Sequence, residues 1–145
     1  MGPSSLSSWA RLIATELTRR DLDAAALFSQ AKMPYDQLQD PNARYPVSNV
    51  QRLWRLAVQA TGDSCFGLEV GRAWSPTSFH ALGYSALAAS TLREALGYVE
   101  RYCRVISTGA HAQLVQHGDE VHVVLGPTHR VEPSLRSARA AGLIG

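Results

Sequence analysis

Cysteine is scarce in this chain: Cys65 and Cys103 are the only two in 145 residues. Two thiols exclude the disulfide framework that staples small secreted domains. Each also falls inside a helical pattern, where a free thiol behaves as a small hydrophobe, and neither is read as a nucleophile. Lysine is scarcer still, with arginine supplying nearly all the positive charge. Charged residues make up 18% of the chain and the formal net charge is +2. Acids and bases are intermixed, so no basic run marks a nucleic-acid surface, and direct DNA binding by this chain alone is disfavoured. Long apolar runs are missing as well. Nothing approaches the ~20 residues that span a bilayer, and "MGPSSLSSWARLIATEL" lacks the basic and apolar regions of a signal peptide. These absences predict a cytoplasmic protein. The phosphate-cradling, dinucleotide and zinc-protease motifs are absent too, as is a G-x-S-x-G elbow, and carboxylates are few and scattered. No catalytic residue, metal site or cofactor is assigned, and the chain reads as a non-enzyme.

What is present is a core former. Apolar residues reach 46%, enough for one domain of this length. Residues 1–8 read as a flexible polar leader. Trp9, Leu12, Ile13 and Leu17 then follow helical spacing, and Asp23 is placed to cap a short helix over "AAALFSQA". "QDPNARYP" reads as a loop. Ser48 and Gln51 match a capping box for a helix that buries Val50, Leu53, Trp54 and Ala57 and ends at Gly62. Asp63 or Ser64 caps "CFGLEVGRA", "WSPTS" is a break, and "FHALGYSALAAS" is a helix of small residues. Thr91 and Glu94 form a second capping box. Behind it Leu92, Ala95, Leu96, Val99, Tyr102, Cys103 and Ile106 make an apolar stripe, with Arg93, Gly97, Glu100 and Arg104 opposite.

After Gly109 the period changes from 3.6 to 2. "AHAQLVQ" and "EVHVVLG" flank Gly118–Asp119, a two-residue hairpin loop. It pairs His117 with Glu120, Gln116 with Val121, Leu114 with Val123 and Ala112 with Leu125. A further helix is expected after Pro133. Because an isolated hairpin is marginal in water, the chain reads as a fragment of a longer protein. The fold class is therefore α+β, a mostly helical N-terminal part followed by a β-hairpin.

Two places could carry chemistry. His117, Glu120 and His122 share a hairpin face, which is the ordinary composition of a solvated sheet surface and has no metal-ligand spacing. "RAWSPTSFHALGY" brings Arg72, Trp74, His80 and Tyr84 together. An aromatic wall with guanidinium, imidazole and hydroxyl donors suits a small polar or anionic ligand; the competing account is a core tryptophan beside a solvated arginine.

The order of elements adds a resemblance. "LFSQAKMPYDQLQDPNARYPVSNVQRLWRLAVQATGD" carries L-x-D-P-x-x-R-x-P and then A-x-x-x-T-G-D. "FGLEVGRAWSPTSFHALGYSALAASTLREALGYVERYCRVIS" continues with GL-x-x-G and LGY-x-x-x-x-S-x-TL-x-EAL-x-x-x-x-RY-x-R. Over residues 9–140 the chain resembles the N-terminal, arabinose-binding-like sensor domain of AraC-family bacterial transcription regulators. The resemblance implies an effector-binding and dimerisation domain over residues 9–145. It also implies an unknown small-molecule effector, a homodimer, and helix-turn-helix motifs elsewhere in the parent protein that meet promoter DNA and RNA polymerase. It assigns no ligand residues. The helix-then-strands stretch also resembles haem-based gas sensors, whose Y-x-S-x-R clamp this chain lacks. A haem or gas sensor and a small-molecule enzyme stay as alternatives.

Overall fold

The computed structural model describes residues 2–128, so the helix expected after Pro133 lies outside the described residues. Its first element overturns the expectation of a leader. Ser4–Leu6 form strand β1, and Ser7–Arg19 form helix α1 without a break. β1 pairs antiparallel with β2, Arg44–Pro46, inside the stretch expected to be a loop. On its other side, Ser5 bridges to Ser107, and the Thr108 N–H donates to the Ser4 carbonyl at 2.9 Å. The leader is thus a strap between two distant parts of the chain. With Leu6 its one apolar residue, the tripeptide is held here because neighbours on both sides satisfy its backbone groups.

α1 buries Leu12, Ile13 and Leu17 as its spacing predicts. It ends where Asp21 takes φ 58°, with the Leu22 N–H returning to the Leu17 carbonyl, the helix-closing pattern glycine usually provides. α2, Ala24–Gln30, is capped by Asp23, whose side chain accepts from the Ala26 N–H. A 3₁₀ turn, Tyr35–Gln39, and β2 then lead into α3, Val47–Thr61. The expected Ser48 capping box is not used. α3 begins at Val47 with Pro46 at its N-cap, two residues ahead of Ser48, because β2 feeds straight into it and the Val47 N–H is taken by the Pro3 carbonyl. Gly62 closes α3 at φ 65°.

α4, Phe66–Arg72, follows an Asp63 side chain that accepts from the Cys65 N–H. α1 to α4 enclose a single cluster containing Phe28, Tyr45, Leu53, Trp54, Phe66 and Val70. Each large side chain in it contributes about 1.5–3 kcal/mol of burial. Tyr45 donates its hydroxyl to the Pro34 carbonyl, and burial, aided by the Asp36 charge, pushes its phenol up to about 12.

The second part is more open. After a 3₁₀ turn, Pro76–Phe79, come α5, His80–Ala88, and α6, Leu92–Ile106. Half of the Thr91 capping box forms: the Thr91 hydroxyl accepts from the Glu94 N–H, while the Glu94 carboxylate takes the N–H of Ser90, one residue before the cap, instead of that of Thr91. The stripe on α6 is only partly covered: Ile106 is buried while Leu92 is 75% exposed. The face opposite is not simply solvated. Arg93 donates to the Gln116 side chain and Glu100 accepts from the Leu114 N–H.

Those partners lie on β3, Ala110–His117, which pairs with β4, Glu120–Pro127, in the register expected. Gly118 has φ 58°, so glycine stands at the first turn position, where a type II′ hairpin requires it. The α+β class holds, with six α-helices and two two-stranded antiparallel sheets among the described residues.

Candidate functional site

The segment from α4 to α5 was built by local rules. Ser75 and Ser78 cap the 3₁₀ turn reciprocally around Pro76, so "WSPTS" is an ordered turn rather than a plain break. The chain then makes a sharp passage into α5. His80 sits at φ 50°, ψ −132°, a backbone region that costs a non-glycine residue ~1–3 kcal/mol. Gly83 lies so close to the turn that a Cβ there would stand 2.0 Å from the Pro76 carbonyl oxygen. α5 is therefore pressed onto the turn, and Phe79 is fixed between two indoles, 5.5 Å from Trp9 and 5.7 Å from Trp74.

The four candidate residues divide into two pairs. Trp74 packs partly against the helical core. Its indole N–H and the Nε2 of His80 are both shielded from solvent and have no hydrogen-bond partner among the described residues. Buried polar nitrogens are normally satisfied, and no described residue satisfies these two. Arg72 and Tyr84 point elsewhere. Arg72 ion-pairs with Glu69 at 3.0 Å with its side chain 71% exposed, and Tyr84 is 57% exposed. Trp74 thus joins the aromatic seam through Phe79, His80 follows Phe79 in the chain with a shielded Nε2, and Arg72 and Tyr84 are exposed.

Some participants were missed. Glu69 stands three residues before Arg72, a spacing that predicts their helical ion pair, and it was readable. Trp9 arrives from the other end of the chain, and no local pattern could place it.

Elsewhere, a depression of 330 Å³ between α1 and the Tyr35–Gln39 turn is lined by Arg11, Thr15, Thr18 and Tyr35 among others and includes none of the four candidates. On the hairpin, the His117 and His122 rings lie 4.6 Å apart, and His122 meets Glu120 at 3.2 Å. Among the described residues, no group of three His, Cys, Asp or Glu side chains is arranged to hold a metal. No helix among them is long and apolar enough to cross a membrane.

A charged network joins α1 to the segment before α4. Glu16, buried in α1, is held below the usual carboxylate range chiefly by its hydrogen bond from Arg19, against the opposing effect of burial, with Arg20 adding to the lowering. Arg20 also reaches Asp63 at 3.1 Å and lies 5.1 Å from the centre of the Phe66 ring. Asp63 is lowered by the Cys65 N–H first and by Arg20 second. This network ties α1 to the start of α4 and is structural.

Comparison with known proteins adds what geometry alone leaves open. The chain is 28% identical over 90 residues to the ornithine utilization regulator of Pseudomonas aeruginosa, an alignment covering 62% of this chain and 26% of that protein. The chain thus spans about a quarter of the length of the curated relative it matches. Residues 22–144 match the family described as the arabinose-binding domain at the N-terminus of AraC transcription regulators. The match takes in the helical core from α2 onward, Trp74 and Phe79 of the aromatic seam, α6 and the hairpin, and the chain belongs to this family of transcription-regulator domains.

Proposed function

We propose that this chain is the effector-sensing and dimerising part of an AraC-type regulator, with residues 9–145 forming that domain and DNA binding residing elsewhere in the parent protein. The observation that carries the sensing role is the pair of unpartnered buried nitrogens, Trp74 Nε1 and His80 Nε2, in a domain of this family. The indole can only donate, and the imidazole can donate or accept. A small effector with a carboxylate or carbonyl group would satisfy both, and Arg72 and Tyr84 at the outer surface would meet its remaining polar atoms. His80 stands at the passage between the turn and α5. Filling the seam would favour one placement of α5 over another and so bias an attached DNA-binding domain.

Ornithine and other amino acids are the first compounds to test, since the relative from Pseudomonas aeruginosa is named for ornithine utilization. Thermal unfolding with a metabolite panel should find a ligand that raises Tm, because binding to the folded state alone stabilises by about 2.7 kcal/mol at a hundredfold excess over Kd. Alanine at Trp74 or His80 should weaken that ligand about tenfold or more, and alanine at Arg72 or Tyr84 by less. Unchanged affinity in all four variants would overturn the site.

A further inference from the structure

Among the described residues the outer edge of β4 is open. A two-residue hairpin loop makes His117 and Glu120 a hydrogen-bonded pair. Alternation then makes Val115–His122, Gln113–Val124 and His111–Gly126 the other pairs that exchange bonds across the ladder. The residues between them turn their N–H and C=O groups outward. On β3 this edge is engaged, since the outward Leu114 N–H donates to Glu100 at 2.9 Å. On β4 the outward residues are Val121, Val123 and Leu125, and among the described residues no strand pairs with them. The edge carries no lysine or arginine and its register has no bulge. Proline appears only at its end, so the usual devices that blunt an edge are missing along its length. Val123, Val124 and Leu125 are all exposed.

We propose that this edge is the seam for a second copy of the chain. β4 pairs antiparallel with the second copy's β4 about a two-fold axis through Val123, joining two hairpins into one four-stranded sheet. The proposal rests on the dimerisation reading above and adds its surface. The sequence of β4 is self-complementary in that register. Val123 meets Val123, and Val121 meets Leu125, so the outward backbone groups find partners and the same-face side chains are all apolar. On the opposite face His122 meets Val124 and Glu120 meets Gly126. No like charges oppose one another. Gly126 lacks a side chain, and the His111 ring lies over it, 2.8 Å from where a Cβ would stand. Glu120 of one copy therefore comes beside the imidazole of the other. An isologous contact of this kind closes at two subunits.

Sedimentation velocity over a concentration series tests the seam. Val123→Pro removes an N–H that the internal ladder does not use, a position where edge proline is tolerated. It should weaken the dimer roughly 10- to 100-fold, because each copy loses a donor at the axis. Val123→Lys should weaken it as well, by placing like charges at the axis, and decides the matter if the proline variant fails to fold. A dimer that neither variant weakens overturns this surface while leaving dimerisation standing. A wild-type chain that stays monomeric overturns both. Slow hydrogen exchange at Val121, Val123 and Leu125 in a monomer would show the edge covered from within the chain, and would likewise overturn the seam.

Discussion

Glu16 is the residue whose surroundings most constrain its chemistry. Its side chain is 4% exposed and takes Arg19 Nε and Nη2 at 2.9 Å on separate oxygens, with Arg20 Nε at 3.2 Å. Removing one partner of a buried charge pair is costly because the other charge stays behind, desolvated. Here Arg19 is largely in solvent, so the cost is discounted. Glu16→Gln should lose about 1–3 kcal/mol of stability, read by urea unfolding at neutral pH. The sign with pH follows from a depressed carboxyl pKa. Its stabilisation is fully present above the unfolded value of 4.5 and is lost as pH falls through the lower folded value. The wild type should therefore approach the glutamine variant in stability on acidification below pH 4.5. Two curves that stay parallel there would show that the carboxylate contributes nothing through its charge.

At the scale of elements, two glycines in helices predict opposite outcomes. Alanine is favoured over glycine in a helix interior by about 1 kcal/mol. At Gly97 in α6 an added Cβ meets nothing within 4 Å, so Gly97→Ala should raise stability by roughly 0.5–1 kcal/mol. At Gly83 the same methyl meets backbone atoms of Pro76, the nearest at 2.0 Å, and backbone cannot swing aside. Sterics then outweigh propensity, and Gly83→Ala should cost about 1–3 kcal/mol by lifting α5 off the turn. Thermal unfolding of the two variants side by side checks the contrast. The pair also marks what was legible in the sequence. The helices and the hairpin register follow from spacings of two to four residues, and Leu12, Ile13, Leu53, Trp54 and the Leu114–Val123 pair were found that way. The approach of α5 to the turn depends on where two elements settle, which no local spacing encodes. The same applies to the candidate site: short spacings reach the Trp74–Phe79 contact and the Glu69–Arg72 ion pair, but the arrival of Trp9 against the Phe79 ring is long-range and no local spacing encodes it.

Over the whole molecule, the least legible feature is the one that holds the parts together. Ser4 and Ser5 carry no apolar signal, and strands of three residues leave almost no period to read. Yet β1 joins the helical core to the end of α6. Arg44 reinforces it: its Nε donates to the Ser4 hydroxyl at 2.8 Å, Nη1 to the Val105 carbonyl at 2.8 Å and Nη2 to the Ser4 carbonyl at 3.2 Å. A planar guanidinium can serve three acceptors in fixed directions, and a lysine cannot. Arg44→Lys should therefore loosen the joint without touching the buried cluster of α1 to α4. Native-state hydrogen exchange separates these outcomes, because it reports local openings residue by residue. The Thr108 amide, bonded to the Ser4 carbonyl, should lose protection about tenfold, the equivalent of ~1.4 kcal/mol. Amides around Ile13 and Leu53 should keep theirs. If protection falls equally at all three places, the strap is part of one cooperative unit with the core. The α5–α6–hairpin part then could not shift independently, and an effector signal would have to pass through the core itself.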